Sequence, residues 1–255
     1  MTAASPPTRR TLRWGYLGRV PYAEAEALQH RIRDGVKAGT GPEHLLLLEH
    51  PHVFTLGRNA SAGDVLAPRE WLAAQGAEVH ECDRGGQVTY HGPGQLVGYP
   101  IVDLDPDRRD LHRYVHDLQE VLIRTLGDYG VRTRRREGKG FIGVWVGEAK
   151  IASIGVHVSR WVTTHGFALN VATDLEWFRR IVPCGLPRVE MASLQSLTGL
   201  APPLAEVADR LAGHFGRVYG RELRPMEAPG AAPPPRSSGP GRRGRPAAAF
   251  PAGGP

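Results

Sequence analysis

A cysteine between a proline and a glycine is the first residue of this sequence that could do chemistry. In Pro183-Cys184-Gly185 the thiol lies on a constrained turn that favours access, whereas a core-filling cysteine is more often set among apolar side chains. Cys82 lies in the alternating run Val-His-Glu-Cys and fits the packing role better. Cys184 is therefore the candidate nucleophile. It needs a positively charged neighbour, because only the thiolate attacks.

Lys150 is the neighbour that we predict for this thiol. It is one of only three lysines, and it lies where the polar turn Gly147-Glu148-Ala149 passes into an apolar strand. An exposed turn lysine is the ordinary interpretation of such a residue. A lysine beside a partly desolvated pocket can instead stabilise a thiolate and move protons.

A glycine-rich segment is the third candidate for a site. It reads Arg84-Gly85-Gly86-Gln87-Val88-Thr89-Tyr90-His91-Gly92-Pro93-Gly94-Gln95. Glycine lets backbone N–H groups approach a ligand because no Cβ intervenes, although two tight turns would also explain the composition. The phosphate-binding pattern GxxxxGK[ST] is absent from the sequence, so a nucleotide is not specifically indicated.

Hydrophobic periodicity predicts the elements that must position these residues. Helices are predicted at Tyr22–Lys37, 108–129, near 174–180 and at Leu204–Tyr219, and strands at 45–49, 53–57, 77–82, Val88–His91, 96–102, 141–146, 151–158 and 162–171. The helix over 108–129 has one apolar stripe, which we expect to face a sheet. Hairpins beside isolated helices favour an α/β fold of the α+β type, a mixed sheet with packed helices, over a strict βαβ repeat.

Composition predicts one domain with two flexible ends. The chain has 255 residues, 41% of them hydrophobic, so we expect a folded catalytic domain over 11–224 between a flexible N-terminus, 1–10, and a disordered tail, 225–255. The tail is rich in Pro, Gly and Ala, and its four arginines and one glutamate supply +3 of the net charge of +6. The remaining charge gives only weak support for nucleic-acid binding.

The sequence has neither an apolar run long enough to span a membrane nor a secretory signal pattern. Two cysteines far apart suit a reducing compartment and make a structural metal site unlikely. We therefore expect a cytoplasmic protein whose partners are neither membranes nor nucleic acids.

Four separated segments resemble the octanoyltransferases, a family also called lipoate-protein ligase B. They are residues 84–95, 147–155, 165–171 (His-Gly-Phe-Ala-Leu-Asn-Val) and 183–185, and the similarity runs from about residue 12 to 220. The resemblance implies the fold of biotin and lipoate protein ligase catalytic domains. It also implies octanoyl transfer from octanoyl-acyl carrier protein to a lysine of lipoyl domains, in 2-oxoacid dehydrogenase E2 subunits and glycine cleavage H protein, as the first step of lipoate cofactor assembly.

The same resemblance assigns roles to residues. Cys184 corresponds to the acyl-thioester nucleophile, and Lys150 to the lysine that favours its thiolate form. The acyl substrate site would be lined by Arg84, Gly85, Gly86, Gln87, Val88, Thr89, Tyr90, His91, Ser153, Ile154, Gly155, Gly166, Phe167 and Ala168. Two residues depart from the family pattern: Ala192 replaces a threonine, and His157 stands where arginine is common. We expect these changes to affect the edge of the pocket and not the reaction.

The expected chemistry needs neither cofactor nor metal, because an acyl carrier thioester is already activated. Two substrates would visit one thiol in turn, which predicts ping-pong kinetics. His91 and His165 either orient substrate or are structural histidines. The cluster Arg134-Arg135-Arg136 is either a contact for an acidic partner or a solvated charged face.

Two other functions are open at this point. An ATP-dependent lipoate or biotin ligase would share the fold and need no thiol, so near-full octanoyl transfer by Cys184→Ser would favour it. A non-catalytic nucleic-acid-binding module would show steeply salt-dependent DNA affinity and form no acyl adduct.

Overall fold

Four consecutive leucines, Leu45 to Leu48, are fully buried, which requires that both faces of their strand be covered. The computed structural model describes residues 10–136, 138, 140–182 and 189–226. In it Leu45 and Leu47 pack into one core, and Leu46 and Leu48 into another. Successive side chains of a strand point to opposite faces, so this one run contributes to the cores on both sides of a sheet.

The described residues form ten strands. They are β1 (Thr11–Arg19), β2 (Glu43–Glu49), β3 (Val53–Leu56), β4 (Glu78–Glu81), β5 (Val88–His91), β6 (Gln95–Ile101), β7 (Gly143–Val146), β8 (Ala149–Ser159), β9 (Val162–Asn170) and β10 (Glu222–Pro225). Seven of them make the main sheet, in the order β10-β1-β2-β6-β9-β8-β7. β1 runs parallel to β10 and β2, and the other pairs are antiparallel. The predicted mixed sheet is confirmed.

Three predicted strands form a separate small sheet. Its order is β4-β3-β5, with β3 parallel to β4 and antiparallel to β5. It has its own apolar core, which contains Phe54, Leu72 and Phe178. Each strand was predicted, but their separation from the main sheet was not, because periodicity does not say which strand pairs with which.

Helices cover both faces of the main sheet. They are α1 (Tyr22–Lys37), α2 (Arg69–Ala74), α3 (Leu111–Gly127), α4 (Leu194–Thr198) and α5 (Leu204–Tyr219), with 3-10 turns at Ala62–Asp64 and Leu175–Arg180. α3 and α5 pack together on one face, and α1 packs on the other. The predicted bounds of α1 and α5 are confirmed. α3 begins later than predicted, because the Asp110 side chain accepts a hydrogen bond from the Arg113 N–H and caps the helix.

The folded region is longer than predicted at both ends. Arg10, expected to be flexible, donates hydrogen bonds to the carbonyl oxygen of Asp103 and to Glu43. The predicted boundary after residue 224 falls inside β10, and the Met226 N–H donates to the Trp14 carbonyl oxygen at 2.7 Å. β1, β10, α2 and α4 were not predicted. β10 is a short exposed strand ending in proline, so its conformation depends on pairing with β1.

None of the helices in the described parts of the chain is long and apolar enough to cross a bilayer.

Candidate active site

A cleft is lined by residues of both sheets. The space between its lining residues is about 540 Å³, the open solvent at its mouth included. Its wall includes Lys150, residues 84–89 and His91, Ser153, Ile154 and Gly155 on β8, and Gly166, Phe167 and Ala168 on β9. Every residue predicted for the acyl site except Tyr90 therefore lies around one cavity, and Lys150 lies there with them.

Tyr90 is the predicted acyl-site residue that the structure places elsewhere. Its buried ring stacks on Trp177 at 5.5 Å between ring centres, and its hydroxyl lies 2.8 Å from Nδ1 of His52. Side chains alternate along a strand, so Tyr90 faces away from the cavity that Thr89 and His91 line. The motif is therefore not one continuous lining segment, because the strand turns this side chain away.

Two tyrosines in the cavity wall were missed by the sequence analysis. Tyr22 is the first residue of α1, and Tyr99 lies in β6. Burial is the main cause that raises the pKa of both phenols, so they stay neutral hydrogen-bonding groups. The Tyr99 hydroxyl lies 2.7 Å from Nε2 of His50. Neither tyrosine belongs to a glycine-rich motif, and no signal in the sequence marks them.

The side chain of Lys150 is enclosed and only 2% exposed. Its Nζ lies 5.4 Å from the centre of the Trp145 ring, a favourable position for an ammonium group over an aromatic face. Gly143 makes room for it, since a Cβ at that position would lie 2.5 Å from Lys150 Cε. The exposed turn lysine considered above is therefore excluded.

The main chain of Lys150 is joined to the segment that follows Cys184. The Lys150 N–H donates to the Glu190 carbonyl oxygen at 2.8 Å, and the Ala192 N–H donates to the Lys150 carbonyl oxygen at 2.9 Å. Cys184 itself lies outside the described residues, as do the other members of 183–188. The downstream flank of the Cys184 segment is thus fixed directly against Lys150.

Arg84 braces the glycine-rich loop. Its guanidinium donates to the Thr55 carbonyl oxygen at 2.6 Å and to the Gly85 carbonyl oxygen at 3.1 Å, and the residue is only 8% exposed. The Gly85 N–H in turn donates to the Val156 carbonyl oxygen on β8 at 2.9 Å. These bonds join the loop to both sheets, so the cavity has a fixed wall on this side.

Two amide groups of this loop have no acceptor among the described residues. The N–H groups of Gly86 and Gln87 donate to no acceptor within the described parts of the chain, and both residues line the cavity. Gly86 has a φ of +89°, which glycine adopts without strain. Unpartnered N–H groups in such a cavity can stabilise a carbonyl oxygen that gains negative charge.

His165 and His157 share one carboxylate beside the cavity. Nε2 of His165 lies 2.7 Å from Asp83 Oδ1, and Nε2 of His157 lies 3.6 Å from Asp83 Oδ2. The hydrogen bond from His165 lowers the pKa of Asp83 well below its usual range, and the histidine charges act in the same direction. His165 has a φ of +56°, and its N–H donates to Gln29 Oε1 at 2.8 Å. His157, one of the two departures from the family pattern, lies near this carboxylate, and its Nδ1 lies 2.6 Å from the Arg58 guanidinium.

The arginine cluster is paired with carboxylates. Arg134 and Arg136 contact Glu148 at 3.0 and 2.8 Å, and Arg135 contacts Glu120 at 2.5 Å. These pairs favour a solvated charged face over a ready-made contact for an acidic partner.

Cys82 and Ala192 both lie where their side chains pack inside the fold. The Cys82 thiol is half-buried and lies 3.4 Å from the Leu56 carbonyl oxygen, in agreement with the packing role. Ala192, the second departure from the family pattern, is 4% exposed and belongs to the main core. Ala192 therefore replaces the family's threonine at a buried position.

Comparisons with known proteins agree with this geometry. The family model described as the lipoyl protein ligase A/B catalytic domain matches residues 21–216. A curated octanoyltransferase of Solibacter usitatus is 52% identical over 211 residues, which cover 82% of this chain and 93% of the relative. An octanoyltransferase of Geobacter metallireducens is 46% identical over 217 residues, covering 85% and 98%.

Solved structures share the fold at low sequence identity. Lipoate-protein ligase A bound with ATP superimposes with a TM-score of 0.69 at 15% identity, covering 86% of this chain and 90% of that one. A lipoate protein ligase from T. acidophilum with bound lipoic acid gives 0.67 at 16% identity, covering 86% and 89%. The predicted likeness to lipoate protein ligases is confirmed for the fold.

Proposed function

The chain belongs to the family of lipoyl protein ligase A/B catalytic domains, and from this membership we infer how it carries out its reaction. It is an acyltransferase that transfers octanoyl groups in lipoate biosynthesis. We propose that the octanoyl group passes from octanoyl-acyl carrier protein to Cys184 as a thioester, and then to a lysine of a lipoyl domain, all in the cytoplasm. The acceptors are the lipoyl domains of 2-oxoacid dehydrogenase E2 subunits and the glycine cleavage H protein.

In the first half-reaction the Cys184 thiolate attacks the octanoyl carbonyl carbon. The Lys150 ammonium stabilises the thiolate, and the amide groups of Gly86 and Gln87 are the donors offered to the developing oxyanion. The bond from carbon to the carrier sulfur then breaks, and the carrier thiolate takes a proton from Lys150 and leaves as a thiol. The products are octanoyl-Cys184 and a neutral Lys150 amine.

In the second half-reaction the neutral amine of the acceptor lysine attacks the thioester carbon. Its proton passes to Lys150, the bond from carbon to Cys184 sulfur breaks, and an amide is released. The ion pair of thiolate and ammonium is thereby restored. Both steps are balanced without ATP, a metal ion or a redox partner.

One observation carries this proposal. Lys150 is buried in the cavity that the acyl-site residues line, and its main chain is hydrogen-bonded to Glu190 and Ala192. Glu190 follows Cys184 by only six residues. A buried lysine whose main chain is bonded to a residue only six positions after a thiol supports their pairing.

The test is intact-mass analysis after mixing the protein with octanoyl carrier protein without ATP. We expect one octanoyl increment on Cys184, none on Cys184→Ser, and acylation of Lys150→Met slowed by about a hundredfold or more. Cys82→Ser is the matched control, and it should acylate like the parent. An increment that persists in Cys184→Ser, or rapid acylation of folded Lys150→Met, contradicts the proposal.

A further inference from the structure

Two buried amide side chains, which the reaction above does not use, connect the glycine-rich segment to the segment that contacts Lys150. Gln95 Nε2 donates to Asn170 Oδ1 at 2.9 Å, and Asn170 Nδ2 donates to the Ala192 carbonyl oxygen at 3.0 Å. Both side chains are only 1% exposed. Ala192 is the residue whose N–H donates to Lys150, so this chain of bonds ends at the Lys150 main chain.

The other end of this hydrogen-bond chain fixes the tautomer of His91. Gln95 Nε2 has its two N–H groups directed to Asn170 and to the Tyr90 carbonyl oxygen, so the atom that meets His91 is the acceptor Oε1. It lies 2.8 Å from His91 Nδ1. His91 Nδ1 must therefore carry the proton of that bond, and a neutral ring then has its lone pair on Nε2.

The surroundings of His91 keep the ring neutral. Burial is the main cause that lowers the pKa of His91 to about 3, and the nearby His50, Arg84 and His165 act in the same direction. The hydrogen bond to Gln95 opposes them and is weaker. His50 comes from the turn between β2 and β3, Arg84 from the loop before β5, and His165 from β9. No carboxylate is among the groups that shift the pKa of His91.

The Nε2 atom of His91 has no hydrogen-bond partner among the described residues. His91 lines the cleft, and its Nε2 makes no hydrogen bond to any residue in the described ranges and is not among the fully enclosed polar atoms. His91 thus has one group available to a ligand in the cleft, the neutral hydrogen-bond acceptor Nε2. The hydrogen-bond chain through Gln95 and Asn170 holds that acceptor in fixed relation to Lys150.

We propose that His91 Nε2 accepts a hydrogen bond from the N–H of the attacking acceptor lysine, and that Gln95 and Asn170 are the residues that position it. The hydrogen-bonding groups of the two substrates show which half-reaction His91 can serve. The reacting end of the acyl donor presents a carbonyl oxygen and a thioester sulfur, which are acceptors, whereas the incoming amine presents N–H donors. His91 therefore acts in the second half-reaction and not in the first. This inference rests on the proposed function.

The experiment measures the two half-reactions separately in the full chain. His91→Asn keeps an amide N–H near the position of Nδ1, for the bond to Gln95, and removes the acceptor at Nε2. We expect acylation by octanoyl carrier protein within about twofold of the parent, and transfer from the purified octanoyl-enzyme to a lipoyl domain slowed by about tenfold or more, the effect of one lost hydrogen bond to an attacking group. His91→Gln, whose amide oxygen reaches the Nε2 position, should recover part of the transfer rate.

A pH series distinguishes an acceptor from a titrating base. Because His91 stays neutral, the ratio of parent to His91→Asn transfer rates should be constant between about pH 5.5 and 8. A base that titrates near neutrality would make this ratio fall as the pH is lowered. His112→Asn, the same substitution at an exposed histidine of α3, is the control and should change neither half-reaction.

The outcomes are separable. Transfer by His91→Asn at the parental rate overturns the inference while leaving the proposed function intact. An equal loss in both half-reactions also overturns it, because it indicates a merely structural role. A parent protein that forms no octanoyl-enzyme overturns the proposed function and this inference with it.

Discussion

At the scale of single residues, Gly143 controls where the Lys150 amine lies. It has a φ of +146°, and a Cβ there would lie 2.5 Å from Lys150 Cε and 2.4 Å from the Ala152 carbonyl oxygen. Gln119 Nε2 donates to the Gly143 carbonyl oxygen at 2.9 Å and ties this position to α3. The path of the lysine side chain therefore depends on the absence of a side chain in the neighbouring strand.

Gly143→Ala should displace the Lys150 amine and slow acylation of Cys184 by about a hundredfold, because small misplacements of reacting groups are costly. Intact-mass kinetics of octanoyl-enzyme formation measure this, with circular dichroism to confirm folding. Gly147→Ala is the matched control. Gly147 also has a positive φ, +55°, but no neighbour within 4 Å, so it should lose about 1 kcal/mol of stability and keep its acylation rate. A folded Gly143→Ala protein that acylates like Gly147→Ala would contradict this role.

At the scale of elements, a buried ion pair joins the first and last strands of the domain to β2. Glu43 begins β2 and is 5% exposed. It accepts hydrogen bonds from Arg221, just before β10, at 2.7 Å, and from Arg10, just before β1, at 2.5 Å. Three segments that are far apart in sequence thus meet at one carboxylate.

Glu43→Gln should lower the free energy of unfolding by about 2 kcal/mol, because it removes the buried carboxylate charge that Arg221 and Arg10 share. Arg221 then keeps only Asp107, 2.9 Å away and 41% exposed, as a countercharge. Urea denaturation measures the loss. Glu222→Gln is the control on β10, since Glu222 pairs with Arg224 at the surface, where the two side chains are 50% and 63% exposed. Such exposed pairs contribute less than about 1 kcal/mol. Equal losses in the two variants would show that burial does not set the strength of the Glu43 pair.

At the scale of the whole molecule, the folded domain continues to Met226. Pro225 pairs with Trp14 in the β10–β1 register, and Met226 packs on Gly15, where a Cβ would lie 3.4 Å from the Met226 Cβ. Residues 227–255 lie outside the described part of the chain. The boundary for a truncation is therefore two residues beyond the one predicted from composition.

A protein ending at Met226 should keep the melting temperature and octanoyl-transfer rate of the full chain. A protein ending at Arg221 lacks β10 and exposes the edge of β1, so its melting temperature should fall by several degrees, about 2–4 °C per kcal/mol lost. Thermal denaturation and transfer assays on both proteins test this. A large loss of activity in the protein that ends at Met226 would assign a function to the tail.

The sequence by itself predicted the mixed sheet, the bounds of α1 and α5, and nearly all of the residues that line the cavity. These follow from local periodicity and from short motifs, whose information lies in adjacent residues. The pairing of Cys184 with Lys150 stays a prediction. Composition predicted the end of the folded domain two residues before Met226, since pairing with β1, and not composition, holds Pro225.

Only the tertiary structure decided which strands form the second sheet, that Tyr90 faces away from the cavity, and that Tyr22 and Tyr99 line it. It also decided the contact of Gly143 with Lys150 and the chain of bonds from His91 through Gln95 and Asn170 to Ala192. Each of these depends on pairing and side-chain direction between segments that are distant in the chain. Their free energies arise only when the sheets and helices pack, so no local pattern of residues encodes them.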